Sequence, residues 1–336
     1  MSSKISIIIV NWNGSEDTIE CIESLFLSIE KEFNLIMVDN GSSPDDYVKL
    51  CNYCKEKFLI IHRIPRKEVK YKKTDNLSFN DHVVTIIENE ENLGFAIANN
   101  IGIDFSVMNG YDKILLLNND TIVTPGFLKI LNDFSVNNPE YAALTPVICY
   151  ADQPDIIWNC GGKITWFGNR RYYYTGQSLS NLPGKEYSEI TFITGCALFF
   201  KPLETGNLSE KYFFGEEDFE LSLRLANSKK KIACVYNSLI FHKVGSSIKK
   251  HSEGSLNGLF LQYVSRFIDH KTYYSTIFRW LIFLINTFYG LYLTTAKYKA
   301  GFRKSLRFWF LVGRYSSEMN GINKNDFEKI MHLSFK

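Results

Sequence analysis

The chain has 336 residues, 45% hydrophobic, 15% aromatic and 22% charged, which excludes a disordered or fibrous protein and suffices for one large domain with a smaller appendage. Its net charge of +2 hides an asymmetry: from Phe241 to Lys336 there are 15 Lys/Arg against 5 Asp/Glu, a net of +10, so the remainder carries −8. A mildly acidic body with a basic tail points to an anionic surface as partner, and no nucleic-acid motif accompanies the tail.

Ile5 to Val10 reads as a first strand, so no signal peptide is expected. Asn11-Trp12-Asn13-Gly14 breaks it, and Ile19, Ile22, Leu25, Phe26 and Ile29 then recur at helical spacing. Leu35 to Val38 is a second strand, ending in Asp39-Asn40-Gly41-Ser42. This β-α-β order predicts an α/β chain with a doubly wound, mostly parallel sheet flanked by helices. The glycine fingerprint of a dinucleotide-binding fold is missing after the first strand. Asp39, at the end of strand two, could hydrogen-bond a base or ribose, but taken alone a turn cap accounts for it better.

Cys51 and Cys54 form one CxxC with no second pair, so helix packing is expected. The seven cysteines (with Cys21, Cys149, Cys160, Cys196 and Cys234) are scattered, which fits reduced thiols in a cytosolic setting. His62 to His82 is polar and basic and reads as an inserted loop or hairpin with a solvated face. Val83 to Ile87 resumes the sheet. Asn92-Leu93-Gly94-Phe95 leads into a helix with Ile97, Ile101 and Phe105 on one side, closed by Asn109-Gly110. Gly94 there allows backbone amides to approach a phosphate, or simply lets the helix start pack closely.

Lys113 to Leu117 is an apolar run that ends in Asn118-Asn119-Asp120-Thr121. A run without alternation suits a strand buried on both faces, and ligands bind beyond the carboxyl ends of such strands. A carboxylate there can hold Mg²⁺ or Mn²⁺ together with substrate phosphates, or merely cap a turn. Thr124-Pro125 predicts the start of a helix that runs through Phe134. Tyr141 to Tyr150 is a strand. Trp158 to Gly162 and Trp166 to Tyr174 predict loops and short strands over a cleft, where aromatic faces suit sugar rings or plain packing. Phe192 to Phe200 is apolar around Thr194-Gly195.

Phe213-Phe214-Gly215-Glu216-Glu217-Asp218-Phe219-Glu220 is a second acidic focus at a helix start. Acids favour helix N-termini, yet consecutive carboxylates behind two phenylalanines exceed what capping needs. One of them beside apolar walls would have a raised pKa, suited to taking a proton from a hydroxyl. Ile232 to Val235 and Leu239 to Phe241 are strand-like and lead to His242, a structural residue or a neutral metal ligand. From Leu256 a helical apolar stripe begins. Trp280 to Ala296 is almost uncharged, with cations at both ends. Seventeen residues at about 1.5 Å each give roughly 25 Å, short of the ~30 Å bilayer core. An interfacial or re-entrant helix is expected, or else a helix buried on the domain or in a dimer.

Together the motifs resemble a family 2 glycosyltransferase with a GT-A fold, similar to bacterial rhamnosyltransferases and other polysaccharide-building enzymes. They are Ser6 to Gly14, Val38 to Ser42, Glu91 to Asn100, Leu116 to Thr121, Ile193 to Ala197 and Phe213 to Asp218, in order over residues 4 to about 250. The resemblance implies a GT-A catalytic domain over 1–250, with the insertion at about 62–82. Residues 251–336 follow as a helical membrane-associating or oligomerising region.

It further implies that Asp39, near Asn11 and Asn13, contacts the nucleotide base, and that Asn92 and Gly94 belong to the donor loop. Asn118, Asn119 and Asp120 occupy the D-x-D place, with Asn118 where the first acid would be. Asp120 and His242 would hold Mn²⁺ or Mg²⁺, and Asp218 would be the inverting general base. Trp158, Gly195 and Glu217 are candidate acceptor or sugar contacts. The implied partners are a nucleotide-sugar donor, with dTDP-rhamnose first and UDP-hexoses next, and a glycan or lipid-linked acceptor. The implied location is the inner face of the plasma membrane. A sugar nucleotidyltransferase is the rival reading, but it would need a basic residue within Asn11 to Ser15. A non-catalytic sugar-binding or scaffold protein would not need Asp120 and Asp218.

Overall fold

The computed structural model describes residues 4–29, 32–73, 79–244 and 255–335. The strands in chain order are β1 (Ile5–Asn11), β2 (Phe33–Asn40), β3 (Ile60–Pro65), β4 (Val83–Asn89), β5 (Lys113–Leu117), β6 (Thr121–Val123), β7 (Tyr141–Tyr150), β8 (Ile157–Asn159), β9 (Gly162–Ile164), β10 (Arg170–Tyr172), β11 (Tyr187–Ile190), β12 (Ala197–Phe200) and β13 (Lys231–His242). The helices are α1 (Ser15–Phe26), α2 (Pro44–Lys57), α3 (Phe95–Met108), α4 (Phe127–Asn137), α5 (Pro202–Thr205), α6 (Glu217–Asn227), α7 (Leu256–Tyr273), α8 (Thr276–Tyr292), α9 (Phe302–Glu318) and α10 (Lys324–Met331).

The large sheet has the order β11-β13-β7-β12-β5-β1-β2-β4-β3, with β6 on β13 and β8 on β7. The half from β3 to β5 is wholly parallel, and β12 enters antiparallel between β5 and β7. This is the expected α/β fold. Central strands such as β5 are buried along their whole length, which is why their sequence shows an apolar run rather than alternation. One face of the sheet packs on Cys21, Leu25, Leu50, Cys54, Phe127 and Leu131 of α1, α2 and α4. The other packs on Ala98 and Ile103 of α3 and on Leu221 and Leu225 of α6. All seven cysteines are buried free thiols, so the CxxC packs a helix.

Three expectations are corrected. His62 to Pro65 is not loop but part of β3, which pairs in parallel with β4 at the sheet edge. Its polar composition is that of an exposed edge, with Arg63 paired to Glu88 at 2.7 Å. A 3₁₀ turn follows over Arg66–Tyr71, and residues 74–78 of the expected insertion lie outside the described residues. Thr124 does not cap α4, which starts after Gly126. Its hydroxyl instead donates to the Leu239 carbonyl at 2.7 Å and ties this turn to β13. The two strand-like runs before His242 are one strand, β13, with a register shift between Val235 and Leu239.

The C-terminal helices enclose their own core around Phe260, Val264, Phe308, Trp309 and Val312. That core also takes Tyr212 and Phe213 from the segment before the acidic cluster. The Phe213 amide donates to the Ile322 carbonyl at 2.8 Å, and the Ile322 amide donates to Lys211 at 2.7 Å.

Candidate active site

Register places the carboxyl ends of β1, β2 and β4 at one rim, with Asn11 beside Asp39 and Asp39 beside Glu88. β5 runs parallel to β1 and delivers Asn118 to the same rim. Asn11 donates to Asp39 Oδ1, Ser42 Oγ and Asp46 Oδ2, each at 3.0 Å, while its own oxygen accepts from Thr18 at 2.8 Å. Asp39 Oδ2 accepts the Ser42 amide at 3.2 Å. Each Asp39 oxygen keeps a second lone pair for a further donor. Asn13 has a left-handed φ of 50° and accepts the Ser43 amide at 2.8 Å. The loop after β1 is thereby locked to the loop after β2. Trp12, on the same loop, is partly open to solvent.

Asn92 and Gly94 are built differently from a phosphate loop. Asn40 donates to Asn92 at 3.0 Å, and Asn92 accepts the Gly94 amide at 2.9 Å. The Phe95 amide donates to the Phe213 carbonyl at 3.3 Å. Gly94 has φ 88° and ψ 171°, a glycine-only region, and a Cβ there would sit 2.2 Å from Phe213 O. The amides of Gly94 and Phe95 at the start of α3 are therefore already used inside the protein. Gly94 seats the Phe213 segment, the close packing at a helix start that its sequence position allowed.

At the end of β5, the Asn118 amide donates to Cys196 O at 2.9 Å. Asn119 turns back to Gly14 O at 3.3 Å and Thr18 Oγ1 at 3.1 Å, so it braces the β1–α1 loop. Asp120 Oδ1 lies 3.0 Å from His242 Nε2, delivered by β13, and both side chains are buried. The Trp158 ring packs edge-on against the imidazole, centroids 4.4 Å apart. Burial alone would lower the His242 pKa, but Cys196 and the bond to Asp120 outweigh it and hold it up at about 10. Among the described residues His242 Nδ1 has no hydrogen-bond partner, and no group of three His, Cys, Asp or Glu side chains forms a metal cage.

The pair nonetheless fits a small divalent cation. A carboxylate oxygen and an imidazole nitrogen suit Mn²⁺ or Mg²⁺ as ligands once the proton they share across 3.0 Å is displaced. Asn119 is engaged with Gly14 and Thr18, so the remaining coordination would fall to the Asn118 side chain and to substrate oxygens, as is common for Mg²⁺.

The acidic helix α6 supplies the second half of the site. Its cap residue Glu216 sits in the left-handed region at φ 68°, a strained position that the surroundings must hold. They do so with two arginines that the sequence did not single out. Arg170, on β10, donates to Glu216 at 2.7 Å and to Asp218 at 3.4 Å. Arg266, on α7, lies 3.5 Å from the other Glu216 oxygen and donates to Asn169 at 2.7 Å. Both arginines stand over aromatic faces, Arg170 over Phe192 and Arg266 over Phe219. Only their distance in the chain hid them, since nothing local marks a lone arginine on a three-residue strand.

Asp218 remains partly open, its side chain 23% exposed. Burial raises its carboxyl pKa and Arg170 opposes the rise, with Glu216 adding to it. Glu217 is buried, accepts the Gly215 amide at 2.9 Å, and is pushed up to about 8 by burial. One short segment joins the two halves. The Gly195 amide lies near enough to the Asp218 carboxyl to lower its pKa, and a Cβ on Gly195 would sit 3.9 Å from Asp218 Cβ. The next residue, Cys196, accepts Asn118 through its carbonyl and lies against His242. Asp120, His242 and Asp218 thus share Gly195-Cys196 as a common wall. A groove lined by Leu182, Lys185, Glu186, Tyr236 and Leu239 lies apart, near the β11 edge, and includes none of these residues.

Comparison with curated proteins found no match. A solved structure described as GalNAc-T7 with UDP, GalNAc and Mn²⁺ is similar over 98% of this chain, with a TM-score of 0.57 and 14% identity. The chain spans only 56% of that protein's length, and at this identity the likeness carries the GT-A fold. The description Glycosyl transferase family 2 matches residues 6–203, more than half of the sequence. Asn11, Asp39 and Asp120 lie within the matched residues and Asp218 and His242 follow them, and the chain belongs to glycosyl transferase family 2.

Proposed function

We propose that the chain moves a sugar from a nucleoside diphosphate donor to an acceptor hydroxyl with inversion, Asp218 acting as the base. The observation that carries this is Asp218 itself. It is a partly open carboxylate with a raised pKa, clamped by Arg170 and sharing one wall with Asp120 and His242. A pKa drawn upward toward the working pH makes a carboxylate a better proton acceptor. In the reaction the acceptor oxygen bonds to the anomeric carbon and its proton passes to Asp218. The bond from that carbon to the diphosphate breaks on the opposite face. Asn11, Asp39 and Asn13 hold the nucleotide. Asp120 and His242 would hold a divalent cation, Mn²⁺ or Mg²⁺, which would supply positive charge for the departing diphosphate. Trp158 flanks the sugar side of His242. Glu217, buried behind Gly215, supports the acidic turn.

dTDP-rhamnose is the first donor to test, with UDP-hexoses next. The acceptor is taken to be a cell-surface glycan or a lipid-linked oligosaccharide at the inner face of the plasma membrane. Homo-oligomerisation is the other use of the basic, apolar C-terminal region. A nucleotidyltransferase gains no support, because no basic side chain stands within Asn11 to Ser15.

The test is Asp218→Asn against a donor panel, reading release of nucleoside diphosphate and thermal shift with UDP, dTDP and GDP, each with and without Mn²⁺. Turnover should fall about 10²- to 10⁴-fold, while the nucleotide-induced shift persists. Full turnover in Asp218→Asn removes this residue from the role.

A further inference from the structure

We infer that α8 and α9 form a lipid-docking face that lies flat on an anionic bilayer. This deepens the membrane-side reading of the acceptor given above. The starting observation is a helix apolar on all sides with little to cover it. Over Thr276–Lys297, only 17% of the most apolar stretch is buried. A helix of that composition belongs inside a core or against an apolar phase. Ile282, Asn286 and Gly290, at four-residue spacing, face the protein. Ile277, Trp280, Leu281, Leu284 and Phe288 point outward, Phe288 with 74% exposed. On α9, Phe302, Leu306 and Phe310 repeat the outward stripe.

The two helices are locked side by side. A Cβ on Gly290 would lie 1.7 Å from Trp309, and one on Gly313 would lie 2.9 Å from Phe283, which also shows that they run antiparallel. On α8 the exposed stripe lies opposite the buried arc, and on α9 it flanks the buried arc on the side of Gly313, which meets α8, with Arg303, Arg307 and Arg314 beyond it. The result is one outward apolar face made from two elements.

Charge chooses the occupant. Between His270 and Ser317 the sequence has eight Lys/Arg and no Asp or Glu. Arg279, Lys297, Lys299, Arg303, Lys304 and Arg307 border the stripe and have no ion-pair partner among the described residues. Two copies meeting through this face would oppose two fields of the same sign. An anionic lipid surface accepts the apolar stripe and neutralises its cationic border. Exposed Trp280, Tyr289 and Tyr292 are side chains that favour a membrane–water boundary.

The contacts also set the orientation. Asn286 donates to Phe167 O at 3.1 Å and accepts from Asn169 at 2.7 Å, so α8 is pinned to the β9–β10 hairpin. A spanning α8 would have to break these bonds or drag Arg303, Lys304 and Arg307 into hydrocarbon with α9. An in-plane helix keeps every contact. The same hairpin carries Arg170 to Asp218, so a docked face sets the base beside the headgroup layer, where a lipid-linked acceptor is presented.

The test uses the full chain with vesicles of phosphatidylcholine alone and with added phosphatidylglycerol, read by co-sedimentation. Binding should be at least tenfold stronger to the anionic vesicles and should be released by 1 M salt. A Trp280→Glu/Phe288→Glu variant, checked for its melting transition and for nucleotide-induced thermal shift, should lose vesicle binding and keep both controls. Absence of preference for anionic vesicles overturns the inference, as does binding that the double variant leaves intact. Protein that stays in the pellet after alkaline carbonate overturns the flat orientation. A dimer in sedimentation velocity that the same variant dissociates assigns the face to a second copy. Loss of turnover with dTDP-rhamnose or UDP-hexoses bears on the catalytic reading alone, since vesicle binding is measured without donor.

Discussion

Arg170→Met offers the sharpest probe of the proposed base. Among the described residues Arg170 is the one cation placed between Glu216 and Asp218, at 2.7 and 3.4 Å. Its loss strips the partner from a buried carboxylate, since the Glu216 side chain is only 4% exposed. Breaking a buried pair by removing one member costs about 3–5 kcal/mol, and Arg266 at 3.5 Å softens that toward the lower end. The kinetic part comes from Asp218. Burial raises its pKa and Arg170 holds the rise in check, so without the arginine the carboxyl holds its proton to higher pH. At an effective dielectric of about 20, two charges 3.4 Å apart attract by about 5 kcal/mol, an upper bound for a side chain open to water on one side. Losing even about 1.4 kcal/mol of it changes the ionised fraction tenfold below the pKa. The assay is the pH profile of donor turnover, followed by nucleoside diphosphate release, for wild type, Arg170→Met and Arg170→Lys, with urea melts alongside. The acid limb of Arg170→Met should move to higher pH and its turnover should recover in base, with Arg170→Lys in between. A folded Arg170→Met whose acid limb coincides with wild type would refute the argument.

Two further substitutions test the surroundings of the base. Glu217, pushed up to about 8 in the fold against about 4.3 unfolded, binds more protons native than unfolded between those values. Stability should therefore fall as pH rises from about 4.3 to about 8, by up to about 1.4 kcal/mol per unit. Glu217→Gln should remove that slope, and urea midpoints at pH 5 and pH 8 that respond alike in wild type and variant would contradict it. Gly94→Ala would force a Cβ to 2.2 Å from Phe213 O at φ 88°. It should cost more than about 2 kcal/mol and lower turnover, because the displaced segment leads directly into α6; an unchanged melting temperature would show that the loop gives way.

Much of this architecture was legible because burial on both faces leaves a plain mark. β1, β2 and β5 are apolar runs ended by Asn11, Asp39 and Asn118, and those ends are where the site stands. β3 left no such mark, because an edge strand satisfies one side with solvent and tolerates His62 and Arg63. Gly94 showed that glycine was needed but not why: a carbonyl 119 residues later in the chain fills the space. Arg170 left no local sign at all. Its role arises only when a short hairpin is folded over α6, and no period or spacing encodes that meeting.

The same reasoning bears on the boundary expected near residue 250. Composition does change at Leu256, yet the contacts that hold Asp218 in place cross that line. Arg266 from α7 meets Glu216, and Tyr273 bonds Glu220. Gln262, with its amide oriented to accept, takes hydrogens from both arginines. Tyr212 bonds Asp269 and shares the helical core, four residues before Glu216. A left-handed, non-glycine cap at Glu216 persists only where its surroundings outweigh the strain, and half of those surroundings are C-terminal helices. The helical region therefore has two faces with two duties. Its inner face fixes the acidic turn that presents Asp218, and its outer face is the apolar, cationic surface of α8 and α9. Removing the whole region would strike both at once, which is why the lipid-docking inference needs point changes on the outer stripe rather than a truncation.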